Sequence, residues 1–166
     1  GTQKLPESQM DRFMIRVTMG YPSVEDEVSI MKSKTGGLSN RVLSKNVINA
    51  QDFMAMRDIV DEVYVDDSIY EYVAKIVAKT RDSEDILQGI SPRGSISIIN
   101  MAKAEAFLRG HDYVLPSDIQ FVLNDTMAHR IILNRSLKRG HITEESVIDS
   151  ICRSVDVPKI GTRGIL

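Results

Sequence analysis

The only convincing alternation of apolar side chains in this sequence lies at residues 13–19. Phe13, Ile15, Val17 and Met19 fall on one side and Met14, Arg16 and Thr18 on the other, the period-2 pattern of a strand. A lone strand cannot pair its own backbone donors and acceptors, so it belongs to a sheet that the following residues do not supply. Gly20-Tyr21-Pro22 breaks it, and everything beyond has a helical period. The expected fold is mostly α, a helical bundle preceded by an orphan strand. Without its sheet, the strand is expected to be disordered or to pair with a second copy through its open edge.

Six helices are expected. Ser23 with Asp26 resembles a capping box, and Val24, Val28 and Met31 then share a face. Residues 33–46, with Gly36-Gly37 and little apolar content, read as a mobile loop. Asn49 caps a helix with an inner face of Phe53, Met56, Val60 and Val63, and Asp66 or Asp67 caps one with Ile69, Val73, Ile76, Val77 and Thr80 in register. Residues 82–91 read as a polar loop. Pro92, with no amide hydrogen to waste, opens the fourth helix, and Gly110 ends it. Its Ile98, Ile99, Met101, Ala102 and Ala106 cover a wide arc, so it should be the central helix. Pro116 opens a fifth helix facing inward through Ile119, Val122, Leu123, Thr126 and Met127. Thr143 caps a sixth with Val147, Ile148, Ile151, Cys152 and Val155. Most of the eight methionines fall on these expected inner faces. The tail from Pro158 is too polar to order itself.

At 166 residues, 42% of them hydrophobic, the chain can bury roughly 70% of its unfolded surface without a staple. The single Cys152 rules out an internal disulfide and fits a reducing compartment. A net charge of −2 gives no global pull toward nucleic acid. The longest charge-free stretch, Gly94 to Ala102, is too short to span a membrane, and the first residues lack a secretion pattern. A cytoplasmic location is expected.

Two arginines are candidates for chemistry. Arg12 follows a Pro-containing turn and precedes the strand, where its planar fork can reach past a domain edge and neutralise charge on a transferring phosphoryl group. The plain alternative is an arginine pairing with Asp11 or Glu7. Arg93 stands in the first turn of the fourth helix, where free amides and the helix dipole already favour anions. Its alternative is a solvated first-turn arginine. Gly89 and Gly94 copy P-loop glycine spacing, but Ser95 and Ile96 stand where Lys and Ser or Thr are required, and the P-loop reading fails. His111, His129 and His141 are too far apart for a helical metal pair, so no metal site is expected. The acids near helix starts match helix dipoles and form no carboxylate dyad.

Ordered words along the chain resemble the MoxR family of AAA+ ATPases. They are Gly1-Thr2, Leu5-Pro6-Glu7-Ser8-Gln9-Met10-Asp11-Arg12-Phe13, Gly20-Tyr21-Pro22-Ser23, Val63-Tyr64-Val65, Thr80-Arg81, Ser91-Pro92-Arg93-Gly94 and Ala102-Lys103-Ala104. Arg109-Gly110-His111-Asp112-Tyr113-Val114, Pro116-Ser117-Asp118-Ile119 and Ala128-His129-Arg130 follow, with Val157-Pro158 near the end. The resemblance implies that 1–22 is a remnant of the αβα ATPase core with its last strand and hinge. It implies that 23–135 is the helical lid and 136–166 a C-terminal helix and tail. It makes Arg12 an arginine finger acting on a neighbour's ATP, Arg93 the second-sensor arginine, and Tyr21 and Pro22 the adenine-side hinge. It implies ATP and Mg2+ as ligands of the longer parent protein, a hexameric ring, a von Willebrand factor A-domain partner and a chaperone-like role in assembly or metal insertion. The family's phosphate loop, metal-binding acids and first sensor precede the matching region. The chain by itself is therefore expected to hold no cofactor and to hydrolyse no ATP. One departure is Leu115, where the family would cap the fifth helix with Thr or Ser.

Two other readings compete. A stand-alone helical interaction module explains the missing nucleotide elements but neither arginine word. A helical DNA-binding domain would use Arg130, Arg135, Lys138 and Arg139 as a basic patch, against the overall acidity.

Overall fold

The computed structural model describes residues 5–35, 47–134 and 142–159. Seven helices and one two-stranded sheet run through them: α1 (Glu7–Met10), α2 (Val24–Thr35), α3 (Ala50–Glu62), α4 (Asp67–Asp82), β1 (Ile86–Gln88), α5 (Pro92–Leu108), α6 (Pro116–Met127), β2 (Ile132–Leu133) and α7 (Glu144–Arg153). They fall into two compact units, one of residues up to Arg16 with those from Met56 onward, the other Val17–Ala55.

The larger unit is a bundle of α4 to α7, with its most extensive contact between α5 and α6. Asp66 starts α4 by accepting from the Ser68 amide at 3.0 Å. Its Ile69, Tyr72, Val73, Ile76, Val77 and Thr80 then repeat every three or four residues and are buried. On α5, Ala102 and Ala106 are fully buried, and their small side chains let neighbouring helices approach closely. Gly110, at φ +79°, supplies the left-handed residue that ends this helix. Leu115 has no capping oxygen, and only the reciprocal half of a capping box is made, Asp118 accepting the Leu115 amide at 2.8 Å. Thr143 caps α7 through the Ser146 amide at 3.2 Å. Each fully buried aliphatic such as Ile98 or Leu123 contributes about 1.5–3 kcal/mol as an upper estimate.

Three expectations are corrected. Residues 13–19 lie outside both strands. The Arg16 amide donates to the Asp125 carbonyl at 2.9 Å, and side chains of the bundle bond the Phe13 and Met14 carbonyls. Residues 11–16 are thus held on the bundle and not disordered. The 82–91 segment is not simply a loop, because β1 pairs antiparallel with β2, Ile86 opposite Leu133. Strands of three and two residues are too short to show alternation.

The third correction concerns α2 and α3. Both start as expected, with Asp26 donating its amide to Ser23 Oγ and Asp52 to Asn49 Oδ1. Neither helix buries a residue, however, and Val28, Met31, Phe53 and Met56 are exposed. Most methionines are therefore on the surface, with Met127 the fully buried exception. Residues 33–35 finish α2; the rest of the expected loop, 36–46, lies outside the described residues, as do 135–141 and the tail from 160.

Candidate functional site

The N-terminus of α5 is held from two sides. On one, Thr80 at the end of α4 accepts the Ile90 amide on Oγ1 at 3.0 Å while donating to the Val77 carbonyl at 2.7 Å. Arg81 Nε donates to the Ile90 carbonyl at 2.8 Å. The backbones run so close that a Cβ on Gly89 would lie 2.7 Å from the Thr80 carbonyl oxygen. On the other side, Ser91 caps α5 by accepting the Gly94 amide and donates its hydroxyl to the Asp11 carboxylate, at 2.9 and 3.0 Å from its two oxygens.

Asp11 also faces Arg130, just beyond α6, whose Nε stands 3.3 Å from Asp11 Oδ1 as a charge contact without a hydrogen bond. Arg130 is buried, and its two terminal nitrogens spread over the facing backbone. Nη2 donates to the carbonyls of Phe13 at 2.6 Å and Asp11 at 3.3 Å and to Ser97 Oγ at 3.0 Å. Nη1 donates to the carbonyls of Met14, at 3.1 Å, and Thr126. Burial pushes the guanidinium pKa down, the Asp11 carboxylate pulls it back, and the Arg93 cation adds to the downward push. His129 joins the cluster through Nε2, 2.9 Å from the Phe13 carbonyl, its own pKa lowered chiefly by burial.

Arg12 and Arg93 are both exposed, and neither side chain makes an ion pair or donates a hydrogen bond among the described residues. Asp11, the carboxylate next to Arg12, is engaged by Ser91 and Arg130. The residue before Arg12 and the cap of the helix bearing Arg93 are thereby bonded to each other. Arg93 stands in the first turn of α5, where Pro92 has no amide hydrogen and Ser91 takes the Gly94 amide, so its own cation and the helix dipole make the setting suited to a phosphate oxygen. Tyr21 and Pro22 belong to the smaller unit, on the extended residues before α2, and both are exposed. No group of three or more His, Cys, Asp or Glu side chains among the described residues could hold a metal.

Arg130 is a correction to the basic-patch reading, because it points into the bundle; Arg135, Lys138 and Arg139 lie outside the described residues. Sequence reasoning missed the roles of Asp11, Ser91 and His129 as well. The available signal was local: an arginine followed directly by Ile131-Ile132-Leu133 is poorly placed for solvent.

An AAA lid domain family matches residues 78–151. The chain is 39% identical over 158 residues to the uncharacterised protein YeaC of Bacillus subtilis, covering 95% of this chain and 49% of that protein. It is 31% identical over 169 residues to the chaperone MoxR1 of Mycobacterium tuberculosis, covering 96% and 44%. A Cytophaga hutchinsonii protein, solved as a candidate ATPase, superposes with a TM-score of 0.81 at 32% identity over 96% of this chain and 51% of its own. The chain thus spans about half the length of the curated relatives it matches. No helix among the described residues is long and apolar enough to cross a membrane.

Proposed function

The chain belongs with the MoxR-type AAA+ proteins and carries their AAA lid domain, and from that premise we propose that it is the lid and arginine-finger part of an ATP hydrolase. In this reading Arg12 acts in trans, placing its guanidinium against the transferring phosphoryl group of a neighbouring subunit's ATP. Arg93 reads the presence of the terminal phosphate from the first turn of α5. Tyr21 and Pro22 form the adenine side of the hinge between core and lid. Mg2+, which would neutralise charge on the phosphates, is given no ligand by the described residues, so no step is assigned to it. The working form is a hexameric ring in the cytoplasm, engaging a von Willebrand factor A-domain partner and driving chaperone-like assembly or metal insertion of protein complexes. Alone, this half of the protein hydrolyses nothing.

The observation that carries the reading is that two exposed arginines have no ion-pair partner among the described residues, while the backbone beside each is fixed by partly buried polar contacts. An anchored backbone beside each cation lowers the reorganisation needed to aim it, which electrostatic stabilisation of a transition state requires. The test is ATP turnover by the full-length protein. Arg12→Ala should lower kcat about 10³-fold or more, Arg12→Lys should restore little because it lacks the planar fork, and Arg93→Ala should lower turnover with assembly intact. Turnover within about twofold of wild type in both alanine variants, under 1 kcal/mol of barrier, would overturn the assignment.

A further inference from the structure

Both terminal nitrogens of Arg130 donate to acceptors, drawn beyond its own helix from two separate stretches of chain, while its Nε stands in charge contact with Asp11. From the N-terminal segment it takes the carbonyls of Asp11, Phe13 and Met14 and the Asp11 carboxylate. From α5 it takes Ser97 Oγ, which in turn donates to the Arg93 carbonyl at 3.1 Å. Arg12 therefore sits between two residues bonded to Arg130, and Arg93 is one hydroxyl away from the same guanidinium. Asp11 closes the loop by accepting from Ser91, the cap of the helix that bears Arg93. The fit depends on Gly94, since a Cβ there would stand 3.2 Å from Arg130 Cδ.

We propose that Arg130 is a positioning residue that holds the backbones of Arg12 and Arg93 in one fixed register, so that neither cation can be displaced without the other. A buried guanidinium cannot give up its carboxylate and three carbonyls without leaving charge unpaired. The N-terminal segment and the first turns of α5 consequently move as one body. The register rests on contacts within this chain and not on the nucleotide reading; only its consequence for turnover does.

Residue-resolved amide exchange on this chain tests it. The reporters are the Arg16 amide, bonded to Asp125, and the Gly94 amide, bonded to Ser91. Arg130→Lys keeps a charge but loses the fork, and should cost both reporters about tenfold or more in protection, while Val73 and Val77 in α4 keep theirs. Asp11→Asn should act in the same direction at the same reporters, and the double variant should lose no more than the worse single one. Unchanged reporters in both variants, or losses that add, would overturn the proposal. Should Arg130→Lys loosen the whole bundle, Asp11→Asn decides: a local loss sustains the register and silence refutes it. The exchange needs no nucleotide, so a silent Arg12→Ala in turnover would leave this result standing.

Discussion

At Arg130 a full positive charge sits at 4% exposure, a placement that costs several kcal/mol unless every donor is met and a counter-ion is near. Its hydrogen-bond acceptors are mostly backbone carbonyls, and its carboxylate comes from Asp11, more than a hundred residues away. The neighbouring His129 answers to the same burial. Its Nδ1 is buried without a partner while Nε2 meets the Phe13 carbonyl, so the neutral ring protonated on Nε2 fits and the imidazolium does not. Since its folded pKa lies below the ordinary value of about 6.5, the unfolded chain takes the proton first as pH falls. His129 thus contributes stability that is complete above about pH 6.5 and is lost as pH falls through the lowered value. Thermal unfolding followed against pH should show this acid limb flatten in His129→Gln, which keeps a donor for Phe13 and removes the titration; equal limbs in both proteins would refute it. Arg12 and Arg93 were legible as candidates from their words in the sequence. Arg130 and His129 were not: the apolar run Ile131-Ile132-Leu133 beside them hints at burial, but nothing local says that a polar residue will meet carbonyls from the other end of the chain.

The elements divide by how much of their burial is local. α4, α6 and α7 show faces that repeat at helical spacing, and α4 and α7 start where a capping side-chain oxygen stands ready, so residues such as Ile76, Leu123 and Ile148 were legible as core. α2 and α3 show the same signal, yet Phe53 and Met31 remain exposed, because a periodic face says what a helix can bury and not what covers it. At 13–19 it is the expected disorder or second-copy pairing that does not hold, because the Phe13, Met14 and Arg16 backbone groups are met by side chains and one carbonyl of the bundle. The first turn of α5 offers a sharp element-scale test. Helix propensity alone makes Gly94→Ala stabilising by up to about 1 kcal/mol. A Cβ there would come within 2.5 Å of Ile90 Cγ2, on a β-branched side chain that is itself buried, and crowd Arg130. Overpacking of this kind costs about 1–3 kcal/mol, so the clash should win. Urea unfolding should show Gly94→Ala less stable than wild type; a more stable variant would mean that the α5 start yields easily.

For the molecule as a whole, the lid is the part that local physics explains well, and the match to an AAA lid domain over 78–151 falls on the bundle of α4 to α7. What composition and periodicity could not supply was a role for the two exposed arginines, since the action proposed for Arg12 would be defined by a subunit outside this chain and not by residues beside it. Resemblance carried that inference, and the chain spans about half the length of the curated relatives it matches. If Arg12 works on a neighbour, subunit mixing in the full-length protein reads that out. Subunits carrying Arg12→Ala retain their own nucleotide site but lack a finger to offer; hydrolysis-dead subunits bind ATP and keep Arg12. Each alone should be nearly inactive, and an equal mixture should regain turnover, with a rate that rises with total protein concentration. Turnover in the mixture no greater than the sum of its inactive parts would contradict action in trans and return the interaction-module reading to first place.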